Sequence, residues 1–256
     1  MVFAIDIGNT NIVIGCFQED KILFVERIST NQTGTSLEFA VSIKSILEIY
    51  GVSISDIEGS ILSSVVPSVT GAVKQAVEKI TQKRCMVVGP GIKTGLRINI
   101  DNPAQLGSDM VIGAVAALAQ ANAPLVLIDM GTATTVSVIN EKNEFIGGMI
   151  MPGAAISMDA LNKRTAQLPK IAFEPPKRKI GSNTVDCMKS GMIYGFAGSI
   201  DGLIDRIEEE LGTSVTAIAT GGLAEVIIPH CRHKNIMIDD TLLLKGMRIV
   251  YLKNRQ

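Results

Sequence analysis

The stretch AIDIGNTNIVIGCF, residues 4–17, decides how this chain is read. It is an apolar, β-branched run that carries one carboxylate, Asp6, and breaks into a Gly-Asn-Thr turn before a second β run. The same order returns at 127–138 as LIDMGTATTVSV: apolar run, Asp129, one apolar residue, Gly131, a small polar cluster with Thr132, then another β-branched run. A lone Asp-x-Gly of this kind reads as an ordinary hairpin turn. Two matching copies, with Asp6 and Asp129 separated by 123 positions, reverse that reading.

A carboxylate at the end of a buried strand costs several kcal/mol unless something compensates it. Next to glycine and hydroxyl residues it makes chemical sense beside a cation and phosphate. Gly8 lets the backbone approach an anion closely. Asn9, Thr10 and the N–H groups of the turn are phosphate donors. Asp6 suits Mg²⁺, which commonly takes one or two carboxylates together with substrate phosphates. A third element, AIATGGLAE at 217–225, reads as a strand ending in Thr220-Gly221-Gly222 and followed by helix formers. A glycine pair at such a junction admits a flat ring or a ribose against the backbone, although alone it also simply ends strands. Neither the GxxxxGK[ST] nor the GxGxxG nucleotide motif occurs.

The remaining sequence bounds the context. At 256 residues the chain has room for one large domain or two ordinary ones. A net charge of −1, from 24 basic and 25 acidic residues, gives no electrostatic case for nucleic acid or a membrane surface. With no tryptophan it also lacks the best stacking platform for single strands. The N-terminus is already a strand pattern, so no signal peptide is expected. The longest apolar stretch, Met110 to Ala119, is too short to span a bilayer. Cys16, Cys85, Cys187 and Cys231 are dispersed and form no CxxC pair, which suits a reducing, cytoplasmic setting. HCRH at 230–233 groups His230, Cys231 and His233 without partner ligands at zinc spacing, so a polar loop is the better reading than a metal site.

Along the chain, VFAIDIG, NIVIGCF and KILFVERI read as three successive strands. SLEFAVSIKSILEIYG follows as an amphipathic helix whose apolar face is Leu37, Val41, Ile46 and Ile49, with Gly51 as its stop. GSILSSVV then reads as a buried strand, GAVKQAVEKI as a helix and RCMVVG as a strand. After a loop, GPGIKTGLRINIDNP, comes GSDMVIGAVAALAQANAP, a helix apolar nearly all round and therefore buried. At Pro124 the pattern restarts with LVLIDMG, TTVSVIN and EFIGGMIMPG. Helices are expected at 152–164, 188–211 and 240–253, a strand at 215–222, and an exposed loop over the proline-containing, basic LPKIAFEPPKRKIGSNT. This is one sheet-plus-helix unit built twice, with a boundary near 117–124.

Two phosphate turns and an adenosine-type glycine pair, in that order, resemble the actin/hexokinase-like phosphotransferase superfamily. Within it the chain is similar nearly end to end to the type III pantothenate kinases. The matching segments are DIGNTN (6–11), NPAQLGSD (102–109), IDMGTATT (128–135), GGMIMPG (147–153), RTAQLP (164–169), GSNT (181–184), SGMIYGFAGSIDGLI (190–204) and TGGLA (220–224). The resemblance implies an α/β fold of duplicated ribonuclease-H-like (actin-like ATPase) domains, 1–117 and 118–256, each a mixed five-stranded-type sheet flanked by helices. It implies ATP-dependent phosphorylation of pantothenate to 4'-phosphopantothenate, the first step of coenzyme A synthesis, by a homodimer with its substrate pocket near the subunit interface.

Carried over residue by residue, the resemblance puts ATP on Asp6, Ile7, Gly8, Asn9, Thr10, Asn11, Ile12, Val13, Thr132, Gly221 and Gly222, with Asp6 holding Mg²⁺. It gives Asp129 a monovalent cation, K⁺ or NH₄⁺, and lines the pantothenate site with Ile100, Gly107, Ser108, Asp109, Met110 and Thr184. Read from the sequence alone, Asp109 is a helix-start carboxylate favoured by the macrodipole; the resemblance makes it the general base that accepts the proton of the attacking alcohol. Thr184 alone reads as a loop hydroxyl. Lys163-Arg164 and Lys177-Arg178-Lys179 read as solvated charge, although RTAQLP singles out Arg164. Two positions depart from the family. Met110 stands where an Arg follows the catalytic Asp and pairs with the substrate carboxylate, and Ile100 stands where many members have Tyr. The lost bidentate contact would need a substitute cation, for which Arg97, Arg164 and Lys189 are the candidates. The alternatives are a nucleotide-binding regulatory paralogue without kinase activity and a superfamily kinase for another small hydroxy acid.

Overall fold

The structure is a computed structural model that describes residues 1–255. The first strands are β1 (Val2–Ile7), β2 (Asn11–Gln18) and β3 (Lys21–Ser29), followed by α1 (Ser36–Ile49), β4 (Gly59–Ser64), α2 (Pro67–Thr81) and β5 (Cys85–Val87). Then come β6 (Arg97–Ile98), α3 (Ser108–Gln120), β7 (Leu125–Met130), β8 (Ala133–Ile139) and β9 (Glu144–Pro152). The chain closes with α4 (Ala154–Arg164), α5 (Thr184–Leu211), β10 (Thr216–Thr220), α6 (Ala224–Ile227), β11 (Met237–Ile238) and α7 (Leu242–Asn254). The packing separates two compact units. One comprises Met1–Leu96, Asn102–Ala116 and the segment from Thr241; the other comprises Arg97–Asp101 and Ala117–Asp240. The C-terminal helix, which a single cut near 117–124 would leave in the second half, thus packs in the first unit.

In the first unit the strand order is β3-β2-β1-β4-β5. The first three strands form an antiparallel meander, and β4 and β5 run parallel to β1. As the central strand, β1 is covered on both faces, which is why it reads as a nearly continuous apolar run. Phe3, Ile5 and Ile7 pack with Phe39, Ile43 and Leu47 of α1 and Val69 and Val73 of α2. On the opposite face Val2, Ala4 and Ile61 pack with Ile112 and Val115 of α3 and with Leu244, Met247 and Val250 of α7. Local signals set the helix starts: Thr35 and Glu38 form a capping box ahead of α1, and Pro67 occupies the first turn of α2.

One expectation is corrected. Of the apolar face expected on α1, only Ile46 is buried; Leu37, Val41 and Ile49 are 62%, 59% and 76% exposed. The buried side is Phe39, Ala40, Ile43, Ile46 and Leu47. Apolar residues surround more than half of this helix, so periodicity alone does not choose the face. Packing chooses the one bearing the larger ring.

The second unit repeats the arrangement. β9-β8-β7-β10-β11 has the same order and strand directions, with β6 added parallel to β9. That added strand lies inside the segment expected to be loop. Two residues, Arg97 and Ile98, pair with Glu144 and Phe145, and Asn99 N–H donates to the Phe145 carbonyl at 2.8 Å. Val126, Ile128, Val136 and Val138 pack with Ile193, Phe196, Ile200 and Ile204 of α5 and Ile227 of α6. Helix α5 begins at Thr184, four residues before the expected start at 188, because the Asn183 side chain accepts from Asp186 N–H at 2.9 Å and caps it. Among the described residues, no helix is long and apolar enough to cross a membrane.

Candidate active site

Asp6 and Asp129 occupy the same place in their strands. In both β1 and β7 four buried residues precede a partly exposed Asp, and a buried residue follows it. Each acid lies opposite a hydroxyl residue on its parallel neighbour: Asp6 with Ser63 of β4, Asp129 with Thr220 of β10. Both hydroxyl residues are buried. The turn after each acid is held from behind by one equivalent bond. Thr30 N–H, just past β3, donates to the Thr10 carbonyl at 2.9 Å, and Gly153 N–H, just past β9, donates to the Thr132 carbonyl at 3.1 Å. The duplication therefore extends to the hydrogen bonds that shape the turns.

The first turn encloses Gly8 to Asn11 between the paired Ile7 and Ile12, and Gly8 N–H closes it on the Asn11 carbonyl at 3.0 Å. Thr30 adds a second support, its hydroxyl donating to the Gly8 carbonyl at 2.7 Å. Asn9, Thr10 and Asn11 are exposed at the tip, and Val13 is partly exposed. Ile7 and Ile12 turn their side chains into the core, so what they offer a ligand is main chain. The second turn encloses Gly131, Thr132 and Ala133 between the paired Met130 and Thr134. Gly153 abuts it: a side chain there would begin 2.8 Å from the Thr132 carbonyl carbon.

Asp109 belongs to the neighbourhood of the first turn. Ser108, the first residue of α3, lies 3.1 Å from the Ser63 hydroxyl, and its own hydroxyl donates to the Ser64 carbonyl at 3.1 Å. Ser63 is the cross-strand partner of Asp6, so Ser108 fastens the head of α3 to the strand beside that acid. The next residue is Asp109, partly buried in the first helical turn, with Oδ1 accepting from Met110 N–H at 2.8 Å. Burial pushes its carboxyl above the ordinary aspartate range, partly opposed by the Met110 N–H bond. A raised pKa makes this carboxylate a stronger proton acceptor than an ordinary aspartate. The serine pair is a link that sequence reading missed, since nothing local couples position 63 to 108.

In the second unit Gly221 has φ +95°, a conformation open to glycine, and a side chain there would begin 2.7 Å from Asp129 Oδ1. Gly221 thus keeps open the space beside that carboxylate. Gly222 has nothing within 4 Å of where a side chain would start, so the pair presents bare backbone. Among the described residues there is no group of three or more His, Cys, Asp or Glu that could hold a metal. One carboxylate per turn still fits Mg²⁺, which commonly completes its shell with substrate phosphates and water.

The residues expected to line the substrate site fall in both units. Gly107, Ser108, Asp109 and Met110 are partly buried in the first; Ile100 and Thr184 belong to the second. Thr184 opens α5 and borders a concavity of about 610 Å³ with Leu161, Leu168, Asn183, Cys187 and Met188. Of the candidate substitute cations, Arg97 pairs with Glu144 at 3.4 Å and Lys189 with Glu174, while Arg164 is exposed at the end of α4. A larger cleft, about 790 Å³, lies among Lys179, Tyr194, Asp201, Asp205, Arg232 and His233 and contains none of the expected ATP or pantothenate residues. The HCRH residues have separate partners there. His230 meets the Tyr194 ring edge-on, buried Cys231 points to the Ala197 carbonyl, and His233 Nε2 lies 2.8 Å from Asp205.

A sheet of this order built twice, with an acid near the end of the first strand of each copy, defines the actin-like fold. Among solved structures, the activator of the 2-hydroxyisocaproyl-CoA dehydratase from Clostridium difficile, with bound ADPNP, has the same fold. The TM-score is 0.60 over 98% of this chain and 93% of that one, at 14% identity. The family model of the type III pantothenate kinases matches residues 2–206. The type III pantothenate kinase of an Exiguobacterium species is 43% identical over 256 residues, all of both chains. That of Bacillus cytotoxicus is 42% identical over 254 residues, 99% of this chain and 97% of the relative. The chain belongs to the type III pantothenate kinase family.

Proposed function

We propose that Asp109 is the base of this kinase and that the two acid-bearing turns are its phosphate-binding elements. As a member of its family the chain transfers a phosphoryl group from ATP to pantothenate, the first step of coenzyme A synthesis. The hydroxyl oxygen of pantothenate forms a bond to the γ-phosphorus, the bond from that phosphorus to the β,γ-bridging oxygen breaks, and ADP leaves with the electron pair. Asp109 takes the hydroxyl proton. Residues 6–13 would line the ATP site, with Asn9, Thr10 and Asn11 at the exposed tip donating to phosphate oxygens, and Thr132 would do the same in the second turn. Gly221 and Gly222 receive the adenosine. Asp6 would hold Mg²⁺, which neutralises phosphate charge when bound, and Asp129 would hold K⁺ or NH₄⁺ in the space that Gly221 leaves open.

The observation that carries this reading is the tether from Asp6 through Ser63 and Ser108 to Asp109. It puts a carboxyl of raised pKa at a fixed place relative to the first phosphate turn. Gly107 to Met110, Ile100 and Thr184 would contact pantothenate, and the working form would be a homodimer. Four free cysteines agree with a cytoplasmic location. ADP release with and without pantothenate tests the whole. Release stimulated by pantothenate supports it. Activity only with another alcohol means a kinase of different specificity, and silence with retained ATP binding means a regulatory nucleotide-binding protein, an outcome that Met110 and Ile100 make worth measuring.

A further inference from the structure

The strand register sets a row of four side chains across the first sheet, level with the phosphate turn. Arg27 of β3 is opposite Val13 of β2, Val13 is opposite Asp6 of β1, and Asp6 is opposite Ser63 of β4. Residues directly opposite in a ladder share a face, so Arg27 stands on the same face as Asp6. This is also the face on which Val13 and Val25 meet the core shared with α3 and α7. Arg27 is exposed at the outer end of the row. The spacing from Asp6 is two strand widths, roughly 10 Å, and the intervening side chain is only a valine.

We propose that Arg27 is a phosphate-contacting residue of the nucleotide site, reaching over Val13 to the polyphosphate held at the Asp6 turn. The proposal rests on reading that turn as a phosphate element. Three observations carry it. First, β3 is locked to the turn by the two Thr30 bonds, at 2.9 Å to the Thr10 carbonyl and 2.7 Å to the Gly8 carbonyl, so Arg27 is held at a fixed distance from it. Second, Arg27 forms no ion pair among the described residues, whereas Arg97, Lys189 and Arg248 are each committed to a carboxylate. Its neighbour Glu26, on the opposite face, accepts from the Tyr50 hydroxyl at 2.6 Å. Third, the matching row of the second sheet reads Ile150, Thr135, Asp129, Thr220, with exposed Ile150 where the first sheet has Arg27. The cation is therefore specific to one copy of a duplicated scaffold and not a feature that the scaffold requires. A planar guanidinium presents paired donors that match phosphate oxygens, which a lysine reproduces only in charge.

Arg27→Gln and Arg27→Lys test this beside Asp6→Asn and an exposed control on the same strand, Lys21→Gln. Arg27→Gln should weaken ADP binding measured by calorimetry, and raise the KM for ATP, about tenfold or more. It should leave the KM for pantothenate, the affinity for adenosine and the melting temperature unchanged. Arg27→Lys should fall in between, and Lys21→Gln should match the parent. Unchanged ADP affinity in Arg27→Gln, while Asp6→Asn loses nucleotide binding, overturns the role of Arg27 and leaves the turn assignment standing. No effect of either substitution overturns both. Equal loss of ADP and adenosine binding would mark a general distortion and also overturn the phosphate contact.

Discussion

The turn at Asp6 and the turn at Asp129 are built on one plan and finished differently. Both acids close an otherwise buried strand, both face a buried hydroxyl residue on the parallel neighbour, and both turns are held by an N–H from the residue after the third strand. The differences are in what fills the space around them. The first turn is one residue longer, carries the Thr30 hydroxyl bond, has Arg27 at the end of its row, and is joined through Ser63 to the helix of Asp109. Around the second, the residues after the buried hydroxyl are Gly221 and Gly222 where the first unit has Ser64 and Val65. Backbone bonds preserve the scaffold, and the side chains differ; on the function proposed above, proton transfer and charge fall to the first turn and open room to the second.

The severest way to break this comparison is to remove the group with no counterpart. Asp109→Asn should keep nucleotide binding and lose about 10²–10⁴-fold in turnover, the usual worth of a general base. In the parent enzyme, kcat should fall as acid protonates Asp109, and at a higher pH than an ordinary aspartate would give, because burial raises its pKa. A variant with half its turnover would place the base elsewhere.

Next in size is the room beside Asp129. Gly221→Ala puts a methyl group 2.7 Å from Asp129 Oδ1 at a φ of +95°, and the backbone conformation alone costs about 1–3 kcal/mol. ATP affinity should fall tenfold or more, together with the melting temperature. Gly222→Ala, with nothing within 4 Å, should stay within about 0.5 kcal/mol of the parent. Equal effects at the two positions would mean that the glycines act only as a strand stop.

Met110→Arg sharpens the acceptor side. A restored charge-assisted pair is worth about 1.5–3 kcal/mol. The KM for pantothenate should drop by about tenfold to a hundredfold while that for ATP holds. An unchanged KM in an already active enzyme would show that another cation serves the substrate carboxylate, and the ion pairs of Arg97 and Lys189 make exposed Arg164 the first to substitute.

Much of this arrangement was legible in the sequence because it is local. Asp6 and Asp129 stand out since a carboxylate interrupts an apolar run, and the three-strand openings follow from turn residues a few positions apart. The parts that were not legible are those set by register or packing between distant segments. Ser63 is ordinary until β4 pairs with β1, Arg27 until β3 pairs with β2, and Ser108 until α3 docks. The two-residue β6 exists only because β9 offers it an edge. The misjudged face of α1 has the same cause, since Leu37 and Val41 are as apolar as the residues that α2 and the sheet actually cover.

A smaller effect separates the acids by their counter-ions. Asp6→Asn should weaken nucleotide binding and raise the Mg²⁺ concentration needed for half-maximal rate, whereas Asp129→Asn should abolish stimulation by K⁺ or NH₄⁺ with a several-fold loss of activity. Stimulation by K⁺ that survives in Asp129→Asn would remove the monovalent site from the second turn.

The smallest effect is on stability, and it runs opposite to activity. Because burial raises the pKa of Asp109 in the folded state, the native chain holds this proton more tightly than the unfolded chain does. Stability from this group is therefore full below the unfolded-state pKa and is lost as pH rises through the raised folded value. The ionised carboxylate carries a cost in desolvation that asparagine does not. Asp109→Asn should consequently melt slightly higher than the parent at neutral pH, with the gain shrinking as the pH is lowered and the parent's own carboxyl becomes neutral. Thermal melts of the two proteins across that range decide it. A variant that melts lower at neutral pH would mean that the charge at the head of α3 stabilises the helix more than its burial costs, and Asp109 would then be a structural acid as well as a catalytic one.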